Sequence, residues 1–203
     1  MIGIVDYGAG NVGNLARALR HLGWDPRLLP HPEGARGVNL LILPGVGAFP
    51  SAWRRLVESG WAQTLREAPR RGQPLLGICL GMQLLAKDSS EEGLTPGLGL
   101  VEGSVRPLKG LSRIPHMGWN VVDWREGEAL ASGVPSWFYF VHSFALEESP
   151  DAVATCTVEG RRFVAAVRRG PVAGCQFHPE RSGPEGVAFL GHLIAMMTSG
   201  GPR

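Results

Sequence analysis

The sequence predicts an α/β fold: a mostly parallel central sheet covered by helices, with an antiparallel β extension in the second half. Three observations carry this. In the first half, short apolar runs alternate with helical patterns, the βαβ rhythm of a parallel sheet. From Gly97 to Gln176 the chain becomes rich in β-branched and aromatic residues, with turn signals at Glu159-Gly160 and Arg169-Gly170; that pattern reads as strands and hairpins. A final amphipathic stretch then reads as one more helix.

Taken in order, Ile2 to Asp6 is a short apolar strand. Asn11 to Leu22 follows as a helix, with Leu15, Ala18, Leu19 and Leu22 on one face, and Gly23 stops it. A second strand runs around Arg27 to Leu29. The third, Leu40 to Leu43, is unbroken apolar sequence, as expected of a strand covered on both faces. Helical material fills Pro50 to Arg71. A fourth strand, Leu75 to Ile78, leads into Cys79, and a helix is expected over Met82 to Lys87. In the last helix Ser182 and Glu185 fit a capping box, Pro184 suits the first turn, and Val187, Leu190, Ile194 and Met197 form the expected buried stripe.

Composition narrows the function classes. A chain of 203 residues suits one domain spanning 1–203. Apolar residues make up 44% and charged residues 19%, which permits a full core and argues against disorder. The net charge of +2 is too small to suggest a nucleic-acid partner. No apolar run is long enough to span a bilayer, and no basic segment precedes the apolar start, so neither a membrane nor a signal peptide is expected. Cys79, Cys156 and Cys175 in such a chain suggest a reducing, cytoplasmic location. Without a CxxC pair a zinc site is not expected, and nothing requires a cofactor.

The sharpest chemical signal is Gly77-Ile78-Cys79-Leu80-Gly81. A strand turning abruptly into a helix lifts the residue at the turn above the sheet, and its neighbours must be small. The helix N-terminus favours a thiolate, and the Leu80 N–H points where an oxyanion would form. Burial as a packing residue is the plainer reading for a cysteine, and it is the one expected of Cys156 and Cys175. A thiol nucleophile needs a base, and the base an orienting group. His178-Pro179-Glu180 offers both, just after the strand-like Val172 to Phe177. His116 and His142 lie in aromatic-rich segments as packing or site-lining residues. A second glycine-rich stretch, Pro44 to Phe49, follows the third strand and so lies on the same edge; the Val46 N–H is the candidate second oxyanion donor. Gly8-Ala9-Gly10-Asn11-Val12-Gly13 also matches a dinucleotide fingerprint literally. The acidic residue that fingerprint needs at the tip of the second strand is missing, where the chain reads Leu29-Pro30-His31.

Gly77-x-Cys79-x-Gly81 with His178-Pro179-Glu180 resembles the class I, triad-type glutamine amidotransferases, whose fold is flavodoxin-like. Tyr7 to Asn11, Pro44 to Phe49, Ile114 to Asn120 and Tyr139 to Ser143 further resemble the glutaminase subunits of imidazole glycerol phosphate synthase, and the matches run the length of the chain. The resemblance implies attack by Cys79 on the amide of L-glutamine, a glutamyl thioester, and release of ammonia, with His178 moving protons and Glu180 orienting it. It implies that Gly47, Gln83, His142, Ser143 and Phe144 hold glutamine. It also implies a cyclase partner with a (β/α)₈ barrel, joined in a heterodimer, which uses the ammonia to make imidazole glycerol phosphate and an aminoimidazole carboxamide ribotide in histidine biosynthesis. A lysine usually follows the HPE motif where this chain has Arg181, and a tyrosine often stands at Phe144.

The partner is expected on the triad edge, because ammonia released into water would be lost. Asn11, Trp119 and Tyr139 are the expected contact residues, with a place in this chain's own core as the alternative for Trp119. A gate is expected in Pro44 to Gly47: the loop rests with a carbonyl towards Cys79, and a peptide flip delivers the Val46 N–H.

Overall fold

The computed structural model describes residues 1–128 and 137–198. The first half comprises β1 (Ile2–Val5), α1 (Val12–His21), β2 (Pro26–Leu29), β3 (Leu40–Gly45), α2 (Phe49–Glu58), α3 (Trp61–Glu67), β4 (Leu75–Cys79) and α4 (Leu80–Leu85). Then come β5 (Asp88–Ser89), β6 (Thr95–Pro96), β7 (Ser104–Pro107), β8 (His116–Val121), β9 (Asp123–Trp124), β10 (Trp137–His142) and β11 (Phe144–Leu146). The chain continues through β12 (Ala152–Val158), β13 (Arg161–Arg169), β14 (Val172–Cys175) and α5 (Gly183–Thr198).

The main sheet runs β2-β1-β3-β4-β14-β13-β12-β9. The first five of these strands are parallel, and β13, β12 and β9 extend the sheet antiparallel. The expected α/β architecture and its antiparallel extension are therefore both present. Two smaller sheets complete the fold: a ribbon of β10 and β8, and a four-stranded set β11-β7-β5-β6.

Alternation along the parallel strands sends side chains to opposite faces of the sheet. Ile2, Ile4, Leu40, Ile42, Leu76 and Ile78 join one core, with Leu15 and Leu19 of α1 and Phe189 and Leu190 of α5. Val5, Leu41, Leu43 and Leu75 join the other, with Leu56 of α2, Leu65 of α3 and Leu84 of α4. Each fully buried leucine contributes about 1.5–3 kcal/mol, so both cores have real weight.

Several local expectations change. The material at 50–71 is two helices, because Gly60 sits at φ +77 and breaks the run. The helix after Cys79 starts at Leu80 and ends at Leu85, earlier at both ends than the pattern suggested. Ala86 is already extended, and the Lys87 N–H donates to Gly103 O, which begins the small sheet. In α5 the deeply buried face is Phe189, Leu190, Leu193 and Ile194, while Val187 and Met197 lie at its margin. The capping box does not form: Ser182 Oγ instead donates to His178 O (2.7 Å) and accepts from Tyr139 N–H (2.9 Å). Its hydroxyl ties the start of the helix to β10.

Candidate active site

Cys79 is the last residue of β4 and stands at φ 54, ψ −113, a conformation that is costly for a side chain bearing a Cβ. The turn is possible because the residues two positions away on each side, Gly77 and Gly81, are glycines. A Cβ on Gly81 would overlap the Leu43 carbonyl, and one on Gly77 would lie 2.7 Å from Gly81 O. Helix α4 therefore sits directly on β3 and β4, and the thiol is raised at the C-terminal edge of the sheet. The helix has six residues, as many as the sequence pattern suggested, but begins directly after Cys79.

Strand order brings the rest of the site to this point. Gly45 pairs with Cys79 across β3 and β4, and Cys175 pairs with Ile78 across β14 and β4. His178 is three residues beyond Cys175, with its N–H donating to Tyr139 O (2.9 Å). His178 Nδ1 and Glu180 Oε1 are 2.8 Å apart, and the two side chains are 3% and 4% exposed. That bond assigns the proton to Nδ1 and leaves Nε2 for the thiol. Nε2 makes no hydrogen bond of ordinary geometry, yet Cys79 is close enough to act on the ring. Burial works against a charged imidazole here. Cys79 and Glu180, through hydrogen bonding and charge, outweigh it and raise His178 to about 10. The sequence could not show that His178 comes near Cys79; the β4–β14 pairing explains why the two line one pocket.

The other two thiols are buried in the core. Burial pushes Cys156 up to about 12 and Cys175 well above its ordinary value. In Cys175 the charges of Glu180 and Cys79 push in the same direction.

A pocket of about 240 Å³ opens beside Cys79 and His178. Val46, Gly47, Leu80 and Gln83 line it from the elbow side, and His142, Ser143 and Phe144 from the other. All the residues expected to hold glutamine or an oxyanion thus share one cavity with Cys79 and His178, while Glu180 lies outside it. Two of them are more constrained than the sequence suggested. His142 has both ring nitrogens engaged, Nδ1 with Phe144 O (2.9 Å) and Nε2 with His116 Nδ1 (3.0 Å). Burial, with the charges of His116 and His178, lowers it to about 3, so the ring is neutral. Gln83 donates to Phe144 O (2.8 Å) and to Gln176 Oε1 (3.0 Å).

The sequence reading missed three residues. Glu91 lines the pocket, and its Oε2 accepts the Phe49 N–H (2.8 Å), which tethers the loop after β3; burial raises its carboxyl. Tyr7 is buried, and its hydroxyl donates to Pro44 O (3.0 Å), anchoring the same loop from below. Gln176, fully buried, lies next to the nucleophile. Only Gln176 carried a usable signal, as a polar side chain at the end of an otherwise apolar strand run.

The ribbon of β8 and β10 leans over the base. Its inward positions are His116, Phe138, Phe140 and His142, all buried. Outward, Trp119 faces Tyr139, Met117 faces Val141 and Val121 faces Trp137. Trp119 is 49% exposed, Met117 60% and Trp137 55%. The core alternative for Trp119 is thereby excluded. The Trp119 and Tyr139 rings meet edge-on at 6.3 Å, and the Arg181 guanidinium covers Tyr139 at 4.7 Å. Asn11 caps α1, accepting the Asn14 N–H (3.3 Å), and it lines a small cavity with Val46, His178 and Glu180.

The dinucleotide fingerprint has another explanation. Gly10, at φ +124, comes so near Pro44 that a Cβ would lie 3.3 Å from its ring, and Gly8, at φ +78, presents its carbonyl to Arg55. These glycines let one active-site loop pack on another.

A thiol on a strained elbow, an imidazole held by a carboxylate, and an open pocket beside them are the parts that acyl transfer by a nucleophilic cysteine requires. Residues 3–194 match the family model described as glutamine amidotransferase class-I. The chain is 41% identical over 197 residues to the imidazole glycerol phosphate synthase subunit HisH of Symbiobacterium thermophilum, covering 96% of this chain and 93% of that one. It is 44% identical over 193 residues to the protein of the same name from Desulfitobacterium hafniense strain DCB-2, covering 94% and 92%. Among solved structures, a glutamine amidotransferase matches with a TM-score of 0.76 at 22% identity over 98% of both chains. A putative GMP synthase protein from Thermoplasma acidophilum matches with a TM-score of 0.73, also at 22% identity, over 98% and 94%. The chain belongs to the class-I glutamine amidotransferase family and, within it, to the imidazole glycerol phosphate synthase subunits HisH.

Proposed function

We propose that this chain, as one catalytic domain, hydrolyses L-glutamine to glutamate and ammonia and passes the ammonia to a synthase partner. The observation that carries the reading is the Cys79–His178–Glu180 constellation opening into the 240 Å³ pocket. Cys79 Sγ, its proton already held on His178 Nε2, attacks the side-chain amide carbon. The oxyanion is met by the N–H groups of Leu80 and, once its loop is set, Val46. His178 returns the proton to the departing nitrogen, ammonia leaves, and a glutamyl thioester remains. Water, deprotonated by His178, then releases glutamate and restores the thiol. Gly47, Gln83 and the segment from His142 to Phe144 shape the pocket around the substrate, and the Glu91 carboxylate answers its α-ammonium group.

The partner we propose is a (β/α)₈-barrel cyclase, docked over the outward face of β8 and β10 and the cap at Asn11. That face is apolar and aromatic, and it lies directly above the base loop, where ammonia forms. Buried tryptophans commonly anchor interfaces. Trp119→Ala should weaken binding to the cyclase by about tenfold or more while the melting temperature of the isolated chain changes little. Titration of the two proteins and a thermal melt check this; a large fall in melting temperature with unchanged affinity would contradict it. The cytoplasm is the proposed location. Among the described residues no helix is long and apolar enough to cross a membrane.

The loop after β3 is the proposed gate. Tyr7 and Glu91 hold its two ends, at Pro44 and Phe49, while Val46 between them is 44% exposed and Gly47 stands at φ +96. The ends are fixed and the centre is free to turn. A β-branched residue resists the dihedrals a flip requires, at a cost of about 1–3 kcal/mol. Val46→Gly should raise glutamine hydrolysis by the isolated chain roughly tenfold to a hundredfold and shrink activation by the partner. An unchanged basal rate and activation ratio would place the gate elsewhere.

A further inference from the structure

Cys79 has a neighbour that the triad does not include. Gln176 follows β14, is fully buried, and has its backbone pinned by donation of its N–H to Ala165 O (2.8 Å). Its side-chain Nε2 donates to Cys79 Sγ at 3.8 Å, within reach of a sulfur acceptor. Its Oε1 accepts from Gln83 Nε2 at 3.0 Å.

The orientation of this amide is dictated by a group that cannot reverse. Phe144 O is a carbonyl and can only accept. It is met by Gln83 at 2.8 Å, so Gln83 must present its NH₂ there. The same NH₂ faces Gln176, so Gln176 must present oxygen to Gln83 and its own NH₂ to the sulfur. Turning the Gln176 amide over would set NH₂ against NH₂ on one side and oxygen against sulfur on the other. The same carbonyl orders the groups on its far side. His142 Nδ1 donates to it, so His142 Nε2 accepts from His116 Nδ1, and His116 Nε2 accepts from Asn120 Nδ2 (2.8 Å). Both donor chains converge on Phe144 O, which leaves no alternative protonation pattern for the buried amide beside the nucleophile.

We propose that Gln176 is a further catalytic residue: a hydrogen-bond donor to the Cys79 sulfur, aimed by Phe144 O through Gln83, which stabilises the thiolate. The inference rests on Cys79 being the nucleophile of the proposed glutaminase. An N–H pointing at sulfur gains strength as the sulfur becomes anionic, so it favours the thiolate once the proton has passed to His178 Nε2. It favours the thiolate again as the leaving group when water opens the thioester.

The test is alkylation of Cys79 by iodoacetamide in the full chain, followed by peptide mass spectrometry from pH 5 to pH 9, with no glutamine present. Gln176→Met keeps the size and removes the donor; Gln176→Glu keeps the shape and places an acceptor against the sulfur. The pH of half-maximal alkylation should move up by about one unit in Gln176→Met, the shift expected from losing a hydrogen bond to a charged group. It should move further in Gln176→Glu. Coincident profiles for the wild type and the folded variants would overturn the proposal. Should neither variant fold, the Gln176 side-chain NH₂ resonance of the wild-type chain decides: it should shift as Cys79 titrates, and a flat response would overturn the proposal. A wild-type chain that shows the alkylation behaviour while the assembled synthase, with its partner bound, does not hydrolyse glutamine would refute the glutaminase reading and leave the Gln176–Cys79 contact standing.

Discussion

Cys79→Ala should abolish glutamine hydrolysis, by roughly 10⁴- to 10⁶-fold, the scale on which loss of a nucleophile acts elsewhere. The assembled synthase should still form its product when supplied with an ammonium salt. The two halves of this result separate chemistry from architecture. Removing Sγ deletes the one thiol that, among the described residues, lines the pocket with His178, since Cys156 and Cys175 are buried in the core. It leaves intact the ribbon of β8 and β10, the proposed docking face for the partner. A rate assay with glutamine and another with ammonium, on the same preparation, read both halves. Residual glutamine turnover above about one part in a thousand would remove Cys79 from the role given to it.

Gly81→Ala should destabilise the chain by about 3 kcal/mol or more, with a melting temperature lower by roughly 10 °C. The reason is local and severe. The new Cβ would overlap Leu43 O, a backbone atom of a central strand, and neither β3 nor α4 can retreat without opening the core that Leu43, Leu80 and Leu84 share. Gly47→Ala makes a useful control for the assay, because Gly47 has open space around it and suffers only the strain of its φ of +96. Calorimetry of both variants checks the prediction. A melting temperature for Gly81→Ala equal to the wild type would mean that the elbow is looser than its geometry.

What was legible in the sequence was whatever depends on local pattern. Leu40 to Leu43 could be read as a strand covered on both faces because burial of both faces requires unbroken apolar sequence. The elbow could be read because only glycines flank a turn that tight, and His178 and Glu180 because proline between them limits their separation. What was not legible depends on distant pairing. Glu91 reaches the pocket through a bond to Phe49, 42 residues earlier, and nothing in Ser89-Ser90-Glu91-Glu92 announces it. Ser182 looked like a helix cap and instead clamps β10 to the base loop, because Tyr139 N–H and His178 O claim its hydroxyl. The helix after Cys79 was placed two residues too late. In the fold Gly81 is inside the first turn, where contact with β3 demands it. The pocket role of His142 was legible from resemblance, but its engagement on both ring nitrogens was not, since His116 lies 26 residues away.

The central claim is that one thiol, Cys79, carries the glutamyl group during turnover. The most direct measurement is covalent capture: incubate the chain with a glutamine-like chloroketone or diazoketone, digest it, and locate the added mass. The account predicts one equivalent on the peptide bearing Cys79, loss of glutamine hydrolysis in step with labelling, and protection by glutamine. Labelling mainly at Cys156 or Cys175, or full labelling of Cys79 with hydrolysis undiminished, would contradict it.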